Sequence, residues 1–421
     1  MIAEEIAGII LSISFGVFLG VISGLIPGLH PNTFAMLLAS LVLLSDFPPL
    51  YAAIIILSSS LANTFLDVIP SIFLGAPDPE MVLNALPSHE MLLEGRGIEA
   101  VRLSALGSLL SVIFSFALIV PLSLLFMKFQ REIQESMAVI LVAVSSLLIL
   151  SESEGRIESE GKLRFLFPRL KALLIFLLSG FLGYFAFEEE HRISSQFSSV
   201  LFPMLSGFFG ASFLITALMS SPEIPEQKET EMRIPKKLRI RGALTGALAG
   251  AFVAWIPGVS SSSATVISRI FLPRSSYERE EFIISVSSVN TANMILSLCA
   301  LFTAGKARTG AMVYLKKIFP DISVEYFLFF LLLILFVSLI SYRLTIFFGR
   351  AFAEKIVKVN YRALCLSVLL FISFLVILMT GVFGFLIYLV SSSIGLLSVR
   401  LGVRRVNCMG SLLFPLILYY L

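Results

Sequence analysis

Residues 16–28, GVFLGVISGLIPG, and residues 246–258, GALAGAFVAWIPG, carry the same punctuation. Gly16, Gly20, Pro27 and Gly28 fall on Gly246, Gly250, Pro257 and Gly258 at one constant offset. Each Pro-Gly pair interrupts an otherwise apolar run, because proline removes a backbone donor and glycine admits dihedrals that helices reject. At the same offset Ile26, Ser58, Ala62, Asn63 and Gly75 fall on Ile256, Ser288, Ala292, Asn293 and Gly305. Matches of glycine, proline and asparagine have backbone and hydrogen-bonding consequences that a leucine match would lack. The chain therefore reads as a duplication: a first transmembrane repeat over 1–220, a charged linker over 221–241 and a second repeat over 242–421.

Composition fixes the solvent. With 57% hydrophobic and 14% charged residues in 421, and a mean hydropathy of +0.96, too little polar material is present to cover soluble domains. Apolar stretches at 103–127, 172–187, 326–348 and 364–380 are predicted to span a bilayer. The first apolar run has no basic flank or cleavage site and reads as a retained helix. The fold class expected is an all-α polytopic membrane protein. A net charge of +3 then reflects topology and does not suggest nucleic acid as a partner. Cys299, Cys365 and Cys408 lie far apart in apolar surroundings and read as packing residues, and His30, His89 and His191 are too scattered for a metal site or a triad. No P-loop, soluble nucleotide-binding region or catalytic constellation is present, so neither an enzyme nor an ATP-driven pump is expected.

Charge placement orients the halves. The seam SSPEIPEQKETEMRIPKKLRIR (220–241) is expected in water on the cytoplasmic side, with Arg343, Arg350, Lys355, Lys358 and Arg362 on the same side. Counting helices back places Glu188, Glu189 and Glu190 outside and starts the first half outside, at Glu4 and Glu5. The second half starts inside, at Arg241, which makes the repeat inverted and the Pro-Gly breaks broken or re-entrant helices. Lys316 and Lys317 fall outside in this count, against the charge tendency.

Small polar residues follow each break: His30, Asn32 and Thr33 in the first half, Ser260, Ser261, Ser262 and Ser263 in the second. A helix restarted there presents unpaired N–H groups and a partial positive charge, an anion site with hydroxyls as caps or donors. An ordinary capped turn is the alternative. Asn63 and Thr64 in SSSLANTF, and Asn290, Thr291 and Asn293 in SSVNTANM, must find partners inside the protein, either across helices or on a substrate. Asp67 shares a helical face with Asn63 and is the candidate ion-coupling carboxylate for Na+ or H+, unless Pro70 ends the helix and leaves it near water. Lys306 and Arg308 are either anion-balancing cations or a solvated loop end, and Arg269 reads as a snorkelling residue. No cofactor or metal is implied beyond the coupling ion.

On these residues the chain resembles the large membrane subunit, the TctA-type permease, of the tripartite tricarboxylate transporters. The likeness runs through IPGLHPNTFAMLL (26–38), residues 52–108, IPGVSSSSATVIS (256–268) and SSVNTANMILSLCALFTAGKARTG (287–310). The resemblance implies an inverted-repeat secondary transporter of the cytoplasmic membrane that receives a carboxylate from a binding protein, beside a small membrane subunit. Two departures from the family pattern, SSSLANTF in place of a glycine-rich segment and Asn290 in place of an acidic residue, keep the substrate at small organic anion. Pro257-Gly258-Val259-Ser260 is also similar to a motif of polyprenyl-phosphate translocases, which makes a lipid-carrier flippase the second reading. A homodimer is left open.

Overall fold

The computed structural model describes residues 2–26, 35, 38–39, 41–42, 47–74, 82–152, 166–193, 199–220, 224–256, 259–270, 273, 275–357 and 360–421. Every regular element among them is helical. In the first half α1 (Ile2–Leu25) is followed by α2 (Pro49–Leu66), which passes through a turn at Asp67 into α3 (Val68–Phe73). Next come α4 (Val82–Leu93), α5 (Gly97–Glu135), α6 (Met137–Leu150) and α7 (Leu166–Glu188). α8 (Leu201–Leu205) then runs through a π-helical turn at Ser206–Ala211 into α9 (Ser212–Ser220). The second half holds α10 (Lys236–Trp255), α11 (Ser261–Ile270), α12 (Glu278–Ala304), α13 (Gly310–Ile318), α14 (Val324–Ile356), α15 (Tyr361–Arg400) and α16 (Gly410–Tyr420).

Among the described residues eight stretches are long and apolar enough to cross a membrane, and the chain is a multi-pass integral membrane protein. The outer helices turn large apolar side chains outward, such as Leu11, Val139 and Val382, a surface only lipid can solvate. Two spans face no lipid: the apolar window of 49–73 is wholly enclosed and that of 278–304 is 94% buried. These two helices form the centre, and they carry the matched asparagines.

Glycine explains how tightly the centre packs. A Cβ on Gly16 would lie 2.7 Å from Ser58 Cβ, and one on Gly20 would lie 2.6 Å from Ala62 Cβ. In the second half the partners recur: Gly246 meets Ser288 Cβ at 2.5 Å and Gly250 meets Ala292 Cβ at 2.7 Å. Every one of these eight residues was matched in the sequence comparison. In lipid, helices gain little from apolar burial and associate by close van der Waals contact, which only small residues permit at this distance. Rising numbers on α1 meet rising numbers on α2, and likewise for α10 and α12, so each pair runs parallel. A chain can do that only by returning between them. The return in the second half includes α11, whose Arg269 sits 3.1 Å from Glu281, the residue that also accepts from Arg241 Nη2 at 2.7 Å. Arg269 is thus an ion-pair partner of a buried carboxylate and not a snorkelling residue, because α11 ends beside the starts of α10 and α12.

Two further features add to the sequence reading. The stretch 364–380 is one limb of a longer element: at Gly381 the backbone adopts φ 67° and ψ −163°, and Ser373 Oγ donates to Tyr388 Oη at 3.1 Å. Fifteen residues of straight helix would separate them by about 22 Å, so α15 reverses sharply at that glycine. The seam keeps most of its charged side chains exposed and is also held by fixed contacts to the first half. Lys228 N donates to Gly95 O at 3.0 Å, Gln227 Nε2 to Leu92 O at 2.9 Å, and Thr230 Oγ1 to Glu99 Oε2 at 3.0 Å. Ile234 is fully buried, and α10 already begins at Lys236, inside the segment expected as linker. The seam's polar side chains find fixed partners at the start of α5, which extended backbone can reach and a helix could not. Arg96 binds Glu99 at 2.9 Å and Glu280 at 2.8 Å, tying the starts of α5 and α12 together. Its hydrogen bond to Glu99, reinforced by Glu280, holds its guanidinium pKa above the ordinary value, against the opposing effect of burial.

Candidate functional site

α2 and α12 meet side by side in the buried centre. Asn290 Nδ2 donates to Asp67 Oδ2 at 2.7 Å, and Thr291 Oγ1 donates to Thr64 Oγ1 at 3.2 Å. Asn63 Nδ2 donates to Ser23 Oγ at 3.1 Å, while Ser297 Oγ donates to Asn293 Oδ1 at 3.2 Å. All eight side chains are buried. Unpaired amides or carboxylates at this depth would cost several kcal/mol each, which is why the cluster closes on itself across the two halves. Rising numbers on α2 here meet falling numbers on α12.

Pro70 does not expose Asp67. Asp67 occupies the cap position of α3 and Pro70 the third residue after it, in the first turn, where the helix asks no N–H of its backbone. The span therefore continues to Phe73, and Asp67 is 4% exposed. Ser23 escaped the sequence reading although it lies three and seven residues after Gly20 and Gly16, on the same helical face. That periodicity was the available signal.

The serine run begins α11. Ser260 caps it, accepting from Ser263 N through Oγ at 3.2 Å and from Ala264 N through its carbonyl at 3.0 Å, and Ser260, Ser261, Ser262 and Ser263 are all buried. From the Arg269–Glu281 pair, eight residues back along α11 to Ser261 cover about 12 Å, and nine residues along α12 to Asn290 cover about 13 Å. The serine end of α11 thus lies at the depth of the asparagines. Lys306 and Arg308 do not join the cluster: they follow the left-handed cap at Gly305, about 20 Å along α12 from Thr291. Burial, and then the neighbouring Arg308 charge, lower the Lys306 pKa. Pro27, Gly28, His30, Asn32, Thr33, Pro257 and Gly258 lie outside the described residues.

The chemistry available is recognition. One buried carboxylate, three amides and several hydroxyls can hold a polar solute, a proton or a monovalent cation. No nucleophile is paired with a base among these residues. Among the described residues no three His, Cys, Asp or Glu side chains are grouped to hold a metal ion. His89 is packed by Phe213 and Tyr361 with Nδ1 against Ile72 O at 3.1 Å, and the three cysteines are buried and free.

Residues 10–410 match the model of the Tripartite tricarboxylate transporter TctA family. The chain belongs to that family. Membership gives this TctA-family protein a part in transport, in keeping with its spanning helices and buried polar centre. It is 28% identical over 368 residues to an uncharacterized protein of Methanocaldococcus jannaschii, with 86% of each chain covered. No solved structure matches it.

Proposed function

We propose that this TctA-family chain is the permease of an ion-coupled secondary transporter that moves a small organic carboxylate across the cytoplasmic membrane by alternating access. The Asp67–Asn290 hydrogen bond at 2.7 Å carries the reading. It joins a buried carboxylate of one half to the polar centre of the other, at the interface that must open alternately to each side. Asp67 is the coupling group, for H+ or Na+. Asn63, Thr64, Asn290, Thr291 and Asn293 are the substrate ligands, with the N-terminal turn of α11 providing positive potential for the carboxylate.

The inverted arrangement of the halves is part of the proposal. It is supported by the parallel packing of α1 with α2 and of α10 with α12, by the opposed numbering where α2 meets α12, and by the return of α11 toward Glu281. A small membrane subunit and a substrate-binding protein complete the system, as the tripartite family name implies.

Thermal-shift measurements on purified protein with citrate, succinate and polyprenyl phosphate, each with and without sodium, test the reading. A ligand at 100 times its Kd stabilises the folded state by about 2.7 kcal/mol. A carboxylate is expected to raise the melting temperature, and Asn63→Ala and Asn293→Ala to abolish the rise. A shift from polyprenyl phosphate alone, or one untouched by both substitutions, contradicts it.

A further inference from the structure

On the face where the seam docks, a cavity of about 850 Å3 lies between the seam and the last turns of α14. Arg102, Arg239, Arg343 and Arg350 line it, with Tyr342 and Phe347 beside them. Against four guanidinium groups the wall offers two carboxylates, Glu231 and Glu354. Arg102 and Arg350 share Glu229, at 2.9 and 2.7 Å, and Arg239 is spent on the carbonyls of Ile234 and Met232. Arg343 has no ion-pair or hydrogen-bond partner among the described residues. With Glu229 counted, four guanidinium groups meet three carboxylates, so the excess positive charge rests on Arg343, which is open to an anion.

The lip of the cavity says which anion. Leu332, Phe336, Leu339, Arg343, Phe347 and Arg350 recur at intervals of three and four residues and share one face of α14. Leu332, Phe336, Leu339 and Phe347 are exposed apolar side chains on a spanning helix, and so they face lipid. The stripe is apolar along the span and becomes basic at its end, a distribution that matches an acyl chain joined to an anionic head group.

We propose that this cavity binds the phosphate of an anionic phospholipid, with Arg343 and Arg350 on the phosphate oxygens, Tyr342 as a further donor and the acyl chains along the stripe of α14. Basic pockets at membrane interfaces bind such head groups by charge and hydrogen bonding together. Because the seam forms the opposite wall, the bound lipid also braces the segment that joins the two halves.

Native mass spectrometry of the purified protein, titrated with phosphatidylglycerol or phosphatidylcholine, tests this. Phosphatidylglycerol is expected to bind at least tenfold more tightly than phosphatidylcholine, and Arg343→Ala/Arg350→Ala to remove that preference. Arg131→Ala, an exposed arginine elsewhere, should keep it. Melting curves of each variant without lipid establish that it folds. Equal retention of the two lipids by the wild type, or an unchanged preference in the folded double variant, overturns the proposal. Displacement of phosphatidylglycerol by millimolar inorganic phosphate overturns the lipid as the source of the anion.

Discussion

Gly20 and Gly250 occupy matched places in two different helix pairs, so one perturbation can be made twice in the same protein. A methyl group on Gly20 would sit 2.6 Å from both Ala62 Cβ and the Ser59 carbonyl, and one on Gly250 would sit 2.7 Å from Ala62's counterpart, Ala292, and 2.8 Å from Val289 O. Ordinary contact starts at 3.4 Å, so each helix pair must part by roughly 1 Å. Backbone carbonyls cannot swing aside as a flexible side chain would. Overpacking of this kind costs about 1–3 kcal/mol, offset by less than about 1 kcal/mol from the better helix propensity of alanine. Gly20→Ala and Gly250→Ala are therefore each expected to lose about 1–2 kcal/mol in reversible unfolding from mixed micelles, and the double variant to lose the sum, since the helix pairs differ. Gly210→Ala is the control: its nearest neighbour, Ile372 Cδ1, is 3.8 Å away, and no loss from crowding is expected. If Gly20→Ala and Gly250→Ala unfold no more easily than Gly210→Ala, close backbone approach is not what holds these helices together.

Three further perturbations follow from single observations. Glu281→Gln removes the fully buried carboxylate that Arg241 and Arg269 share, leaves both cations uncompensated, and should cost about 3–5 kcal/mol in the same unfolding measurement. Gly381→Ala forces a side chain into φ 67°, ψ −163°, a region essentially reserved for glycine, and should lower stability by about 1–3 kcal/mol, whereas alanine would be harmless if α15 ran straight. Burial lowers the pKa of His89 below its ordinary value of 6.5 in the folded protein, so the unfolded chain takes up the proton first. The stability held above about pH 6.5 should decline as pH falls below it, and His89→Gln should flatten that decline.

The matched glycines were legible in the sequence because they do backbone work. Gly16, Gly20, Gly246 and Gly250 touch the very residues, Ser58, Ala62, Ser288 and Ala292, that the offset had paired with one another. Asn63, Thr64, Asp67, Asn290, Thr291 and Asn293 were found for a related reason: polar groups in an apolar run have to face one another. What stayed hidden depended on long-range pairing. Arg269 looked like an interface residue until α11 proved to end beside Glu281. The seam's charges pointed to water, but local sequence cannot reveal Glu99 and Gly95 as its docking partners. Gly381 stands between two apolar runs of similar character, and nothing local distinguishes a glycine that reverses a helix from one that lets a neighbour approach.

Uptake of radiolabelled carboxylate into proteoliposomes, driven by an imposed proton or sodium gradient, bears most directly on the polar centre as an ion-coupled site. The wild type should concentrate the substrate only when the gradient is present. Asp67→Asn should still exchange substrate between the two sides but lose all response to the gradient, because the amide keeps the shape and gives up the charge. Gradient-driven accumulation by Asp67→Asn at the wild-type level would contradict the account.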